Sequence, residues 1–415
     1  MSIEVRPIHD DELVAWVDAV SSGFLDRPNV AGIADEVRKH WDLGRAVAAV
    51  DGGRIVGTFR SWAGRVTVPG CAELPVASVT GVSVLPTHRR HGLLARMAAV
   101  AHADARERGE ALGLLFASEY PIYGRFGYGS ATTTVTWRIR RGQARFIEGG
   151  SGTLEIVAPD AASLETARGV YEAHRIRQPG EVWRRPITWQ DDFGLSTDVW
   201  NNRWKGFVAF HRDAAGTVDG FVRYHAEEKW EDRQPSNRLF VDDLHALTDD
   251  AELALWRLVG TMDWVATATA ERRSLGERLP WLLANQRAVS ADDVGDWLSL
   301  KILDVPRALE TRRYERSGSL VIEAVDSDGS TADGRLEQRI RVALDASPDG
   351  ARAVVTDRSP DLTIRSDALG AAYLGGTRLS RAALLAGADE HRPGALAEAD
   401  RLFATFDAPW CSSFF

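Results

Sequence analysis

Residues 86–92, Pro-Thr-His-Arg-Arg-His-Gly, place two guanidinium groups, two imidazoles and a glycine between a strand-like run and a helix-like one. A helix N-terminus already carries about half a positive charge from unpaired N–H groups, so Arg89 and Arg90 are unfavourable there unless an anion answers them. Backbone N–H groups and guanidinium groups aimed at one point make a pyrophosphate cradle, with Gly92 permitting close backbone approach. Other chemistries lack their residues. The four lysines, Lys39, Lys205, Lys229 and Lys301, follow no glycine-rich P-loop, and no G-x-G-x-x-G succeeds the first strand. No G-x-S-x-G elbow presents a serine nucleophile. His88 and His91 are spaced H-x-x-H without the acidic helix partner of a zinc protease, so no metal is expected.

Around this cluster the first 150 residues alternate strand and helix. "IEVRPI" reads as a strand, Asp10 to Ser21 as a helix, and "AVAAVDGGRIVGTF" as a hairpin turning at Asp51-Gly52-Gly53. "ELPVASVTGVSVL" leads into the basic cluster, residues 89–109 read as a helix, and "LGLLFAS" as the next strand. Leu93, Met97, Val100 and Ala101 form one apolar stripe on that helix, which packs on a sheet. This is an α/β layered domain.

The order then returns. "LEIVAPDAASLETARGVYEAH" is again strand, proline and helix, and "VAFHRDAAGTVDGFVRY" echoes the hairpin, so the chain contains an internal duplication. Asp249, Asp250 and Glu252 stand where the first copy is basic, which excludes an anion there. Nine of the 14 tryptophans lie between Trp183 and Trp297, enough aromatic area to predict a core in this segment. After residue 300, strands "GSLVIEAVD", "QRIRVALDA" and "ARAVVTD" precede helices near "SRAALLAG" and "GALAEADRLFATF", the pattern of a third, α+β domain.

Composition narrows the classes. A length of 415 residues predicts two or three domains, and no apolar run approaches the roughly 20 residues that span a bilayer. The opening "MSIEVRPIHDDEL" has neither a basic start nor an apolar stretch, so a cytoplasmic location is expected. A net charge of −9 disfavours nonspecific nucleic-acid binding and favours cationic partners. Cys71 and Cys411 read as small buried residues of a reducing compartment, with a single long-range bridge left open.

Arg89-Arg90-His91-Gly92-Leu93-Leu94 resembles the R/Q-x-x-G-x-G/A coenzyme A loop of the GCN5-related N-acetyltransferases (GNAT), with Leu94 departing from the small final residue. Together, "VSVLPTHRRHGLL" and "ASEYPIYGRFGYG" resemble the Eis (enhanced intracellular survival) branch of that superfamily, and the resemblance covers the whole chain. It implies an α/β (α+β) architecture: a catalytic domain over 1–150, a degenerate second copy over 151–300, and a sterol-carrier-like domain over 301–415. It also implies acetyl-CoA as cosubstrate and direct acetyl transfer to polyamine- or aminoglycoside-like amines. Val82, Ser83 and Val84 would then meet the pantetheine arm, while Arg89, Arg90, Gly92 and Leu93 hold the pyrophosphate. Ser118 would sit near the thioester.

Tyr123 matches the family's general acid and the terminal carboxylate, here on Phe415, its general base. A tyrosine with a reference pKa of about 10 keeps its proton to give, and a terminal carboxylate of about 3.5 is ionised and ready to accept one. The apolar tail "FDAPWCSSFF" predicts a docked, not frayed, end. Phe24, Asp26 and Trp41 match an anionic, aromatic substrate pocket. Gly81 departs from an expected bulkier pocket residue, and Phe414 from an acid found in drug-modifying members. Homo-hexamers are implied as well. Two other readings stay open: a noncatalytic coenzyme A- or lipid-binding module, and a protein-lysine acetyltransferase.

Overall fold

Strands apolar on both faces fold the first segment into a meander. The computed structural model describes residues 3–196, 203–327 and 337–415. The chain divides into two compact units, the first comprising Met1–Thr132, Trp297–Pro409 and Phe414–Phe415. In it, β1 (Glu4–Pro7) is followed by a 3-10 turn at Asp10–Glu12 and by α1 (Leu13–Gly23) and α2 (Val30–Val37). Then β2 (Ala46–Asp51), β3 (Arg54–Val68) and β4 (Ala72–Val84) pair antiparallel in sequence. Gly52 and Gly53 have φ of 54° and 84°, as the central residues of a type I′ turn require, so the expected hairpin forms. Helix α3 (Leu93–Glu107) carries β4 over to a parallel β5 (Leu112–Phe116), followed by α4 (Tyr120–Tyr123) and β6 (Gly129–Ser130). Leu93, Met97 and Ala101 bury against Val47, Phe59 and Leu115, with Val100 at the margin. On the other face Trp16, Val17 and Ile33 cover Ala46, Ala48 and Val50.

The second unit comprises Thr133–Asp296 and Trp410–Ser413. Its elements are β7 (Thr133–Arg140), β8 (Thr153–Val157), α5 (Ala161–Arg175), α6 (Pro186–Asp192), β9 (Phe207–Arg212) and β10 (Val218–Glu227). A ribbon of β11 (Trp230–Glu231) and β12 (Gln234–Pro235) leads to β13 (Asn237–Ala246), α7 (Asp249–Thr261), β14 (Val265–Arg273) and β15 (Val289–Asp296). The sheet order is β15-β7-β14-β13-β10-β9-β8. Its parallel pair, β13 and β14 joined by α7, repeats β4-α3-β5, which is the duplication the sequence predicts. Trp189 and Trp256 are buried, but Trp230, Trp264 and Trp281 are exposed, contrary to the expected aromatic core. These three sit in the ribbon, in a turn and in a 3-10 segment, off the packed faces; Trp200 lies outside the described residues.

The rest of the first unit begins with β16 (Leu298–Ile302) and α8 (Val305–Thr311). Then come β17 (Gly318–Ser327), β18 (Glu337–Ser347), β19 (Gly350–Val355), β20 (Leu362–Arg365), α9 (Ser366–Tyr373), α10 (Leu379–Ala386), β21 (Ala388–Glu390) and α11 (Ala395–Phe403). A mixed sheet, β19-β18-β17-β20-β21, is separate from the first sheet, whose order is β1-β2-β3-β4-β5-β16-β6. Thus β5 takes β16 as its outer neighbour, while β7 pairs with β14 and β15, a strand exchange across the expected limits near 150 and 300. Glycines let α9 approach the first sheet: a Cβ on Gly370 would lie 2.2 Å from Leu300 O, and one on Gly129 1.9 Å from Asp367 O. Both cysteines are free, and Cys411 is buried as expected. Cys71 is exposed instead, because it sits in the β3–β4 turn at φ 64°.

Candidate active site

The site begins with a defect in β4. Register holds from Val68 opposite Ala72 to Arg60 opposite Thr80, then slips, because Thr58 opposes Ser83 and β4 carries one extra residue. Gly81 lies within that bulge at φ 59°, and an added Cβ would lie 3.0 Å from Trp16 Cη2. Left-handed backbone and the indole together demand glycine where the resemblance led us to expect bulk. Thr58 Oγ1 donates to Gly81 O (2.9 Å) and accepts from Ser83 Oγ (2.8 Å), which fixes the bulge.

On its other edge β4 pairs with β5 only from Val76–Leu112 to Ser78–Leu114. Beyond Ser78 the strands part, and Val79–Val84 with Leu115 and Phe116 line a cavity of about 530 Å³. Val82, Ser83 and Val84 all line it. Main-chain groups on this opened edge suit an extended amide-bearing chain such as pantetheine.

At the end of β4, Leu85 leads into a turn at Pro86–His88; Arg89 is extended, and Arg90 and Gly92 are left-handed at φ 68° and 69°. The helix therefore starts at Leu93, not at Arg89 as its sequence suggests. Gly92 is the N-cap and supplies no side-chain cap, so the first-turn N–H groups of Leu93, Leu94 and Ala95 have no intrahelical acceptor. All three residues line the cavity with Arg89, Arg90 and Gly92. An added Cβ on Gly92 would meet nothing within 4 Å, so backbone sign rather than crowding requires glycine there. Arg90 holds the same sign with a side chain, at a cost of about 1–2 kcal/mol.

The two histidines tie this loop down. His88 bonds Thr87 Oγ1 (2.8 Å) and Asp51 Oδ2 (3.3 Å), and His91 Nδ1 meets His88 O (3.1 Å). Arg89 has one long contact, Nε to Val84 O (3.4 Å), and Arg90 has no hydrogen bond or ion pair among the described residues. Two exposed guanidiniums and free N–H groups at one rim fit a pyrophosphate. Among the described residues no group of three or more His, Cys, Asp or Glu side chains could hold a metal ion.

Opposite this loop, Ser118 and Glu119 follow β5, and α4 presents Tyr123 to the same cavity. Tyr123 is half-buried, edge-on to Tyr128 at 6.3 Å. Burial, with Glu119 charge second, raises its phenol above the ordinary tyrosine value. Tyr128 is buried and bonds His102 Nε2 (2.9 Å). Burial first, then Lys301 and Arg106, hold His102 well below the usual imidazole value, so it is neutral. Under the turn after Tyr123, Gly127 at φ 81° would drive a Cβ to 2.7 Å from Lys301 Nζ and 2.8 Å from Asp326 Oδ1, which form a partly buried ion pair.

Phe24, at the end of α1, lines the cavity, but Asp26 and Trp41 do not. Asp26 accepts from Arg27 N (2.7 Å) on the exposed α1–α2 loop. Trp41 packs edge-on to Trp16 at 5.5 Å and lies 3.4 Å under the Arg60 guanidinium, which also stacks on Trp62. The protein's own cation thus covers the indole expected to greet a substrate. Phe414 and Phe415 both line the cavity, with Phe415 at 4.7 Å from Phe116 and 6.1 Å from Trp62. Phe414 remains 58% exposed, at odds with the burial its type suggests. Sequence reasoning missed Glu119, Arg125 and Phe116, which line the same space.

In the second unit the helix corresponding to α3 is capped by Thr248 Oγ1, which accepts from Ala251 N (3.2 Å), and Asp249, Asp250 and Glu252 fill its first turn. Arg278 pairs with Asp249 (2.8 Å) and with Glu252. That end is closed to an anion, as the acids predict. Within this unit Trp410–Ser413 are buried. Trp410 Nε1 donates to Arg272 O (2.7 Å), Ser412 N to Glu181 Oε2 (2.9 Å), and Arg184 to both Ser412 Oγ and Ser413 Oγ (2.8 and 2.9 Å). The tail is held, as its composition predicts.

Family models described as an acetyltransferase (GNAT) domain match residues 4–131 and 180–302, and one described as a sterol carrier protein domain matches 305–412. Fold and cavity together define an N-acetyltransferase with two GNAT domains. An uncharacterized N-acetyltransferase of Streptomyces griseus is 40% identical over 100% of both chains. N-acetyltransferase Eis of Mycobacterium tuberculosis is 34% identical over 79% of this chain and 78% of its own. The crystal structure of Eis1 from Mycobacterium abscessus superposes with a TM-score of 0.82 at 31% identity, covering 99% of this chain and 100% of that one. The chain belongs to the Eis family of N-acetyltransferases. No helix among the described residues is long and apolar enough to cross a membrane.

Proposed function

We propose that this protein transfers acetyl from acetyl-CoA to a primary amine of a small polyamine- or aminoglycoside-like cation. The observation that carries this reading is one cavity lined by a basic helix-entry loop, Tyr123 and the chain's last residue. Arg89, Arg90 and the first-turn N–H groups of α3 bind the pyrophosphate. The opened β4 edge at Val82–Val84 aligns the pantetheine arm, and Ser118 flanks it near the thioester. The bound cosubstrate supplies an acetyl thioester.

Tyr123 gives its Oη proton to the departing sulfur as the amine nitrogen forms the new C–N bond and the C–S bond breaks. The terminal carboxylate of Phe415 attracts the acceptor and takes the proton its nitrogen sheds, directly or through water. Phe24 supplies an aromatic wall. We place this activity in the cytoplasm and in a homo-oligomer, with the hexamer as the expected size. Strongly exposed Phe406 and Leu384 supply apolar surface for such contacts, and light scattering reads the mass.

The test follows thiol release from acetyl-CoA with a panel of polyamines, aminoglycosides and a lysine peptide. Tyr123→Phe should lower kcat by about 10²–10⁴ and leave coenzyme A affinity unchanged. An unchanged kcat removes Tyr123 as the acid. Binding of coenzyme A with no thiol release from any amine favours the binding-module reading, and turnover on the peptide alone favours the protein-lysine reading.

A further inference from the structure

Glu119 has a carboxylate with no structural employment. It is the N-cap of α4, yet its side chain accepts no hydrogen bond from the helix, the usual work of an acid at that position. Among the described residues it makes no ion pair or side-chain hydrogen bond. It is exposed, and it is the one acidic side chain in the cavity lining, which also holds Arg89, Arg90, Arg125 and the last residue, Phe415, with its main-chain carboxylate. Glu119 immediately precedes the single helical turn that ends at Tyr123, and both residues line the same cavity.

Resting on the amine-acetylation reading, we propose that Glu119 docks the ammonium of the acceptor beside Tyr123 and so makes positive charge on the acceptor a condition of tight binding. Arg89 and Arg90 lie on the β4–α3 loop and answer an anion; Glu119 lies on the β5–α4 loop and answers a cation. The two loops sort the charges of the two substrates at one cavity. Because both residues line one cavity, an ammonium held by Glu119 enters the space that Tyr123 faces. Arg125 is also in the lining, with its Nε turned to Ile122 O (3.4 Å) and its guanidinium 5.8 Å from the Phe126 ring.

The experiment is calorimetric binding of a linear triamine to the coenzyme A-loaded protein, which reads Glu119 whether or not turnover occurs. E119Q should weaken triamine binding about three- to fivefold at low salt, less at about 0.5 M salt, with coenzyme A affinity unchanged. E119D should recover most of the loss. An arylamine uncharged at the assay pH should bind wild type and E119Q alike. Equal losses for the charged and uncharged amines, or no loss for either, overturn the proposal. Thiol release measured separately on the wild type decides the acetylation reading, so the two can fail independently.

Discussion

Replacing Gly92 by alanine separates the backbone cost of the cradle from its binding role. At φ 69° an L-residue costs about 1–2 kcal/mol, and no atom within 4 Å adds a clash. At about 2–4 °C per kcal/mol, the melting temperature falls about 2–8 °C. Gly53 provides the control, since it is also left-handed (φ 84°), also has nothing within 4 Å, and lies in the β2–β3 turn outside the cavity lining. Gly53→Ala should therefore melt earlier by a similar amount. The two variants part on ligand binding. In Gly92→Ala the added methyl stands at the N-cap of α3, where a pyrophosphate would approach, and loss of one charge-assisted hydrogen bond, about 1.5–3 kcal/mol, weakens coenzyme A about ten- to hundredfold. Pantetheine, which lacks the pyrophosphate, should bind both variants like wild type. Calorimetric titration reads these affinities, and scanning calorimetry the stabilities. Equal coenzyme A affinity in the two variants would refute the cradle.

Two further predictions concern stability. Arg45 and Glu110 form a bidentate ion pair (3.1 and 2.7 Å) with both side chains under a tenth exposed. Glu110→Ala should destabilise by about 3–5 kcal/mol by stranding a buried guanidinium, whereas the double variant Arg45→Met, Glu110→Leu recovers most of it in denaturant titrations. His174 is half-buried, with its Nδ1 shut off from solvent beside His245 and Trp410, and desolvation first, then the charges of His245 and Arg273, hold its imidazole well below the ordinary value. Because the unfolded chain takes up this proton near pH 6.5 and the folded chain only lower, the contribution is complete above that pH and is lost as pH falls below it. His174→Phe should flatten the decline of melting temperature between pH 6.5 and 5, and an unaltered slope would contradict the assignment.

The parts of the molecule legible in the sequence are those set by local chemistry. A two-glycine corner between alternating strands specifies the β2–β3 hairpin, and the apolar stripe from Leu93 to Ala101 specifies how α3 lies on its sheet. The basic loop is legible because arginines at a helix entry make electrostatic sense only with an anion. The start of α3 was displaced by four residues, since nothing in the residue types marks Arg90 as left-handed. Asp26 and Trp41 match by spacing alone, and spacing says nothing of Arg60, whose guanidinium is brought onto Trp41 by strand pairing far along the chain. The exchange of β7 and β16 is likewise a matter of long-range pairing, invisible to any local period. Glu119 carried a faint signal, an acid four residues before the candidate tyrosine, but only the uncapped helix and the cavity give it meaning.

The most direct test of amine acetylation with a terminal base is to extend the chain by one glycine after Phe415 and compare thiol release with the native protein across the amine panel. The cavity that both Tyr123 and Phe415 line predicts that the native protein turns over, and that the extension abolishes turnover while coenzyme A affinity is unchanged. Undiminished turnover by the extended protein would contradict the account.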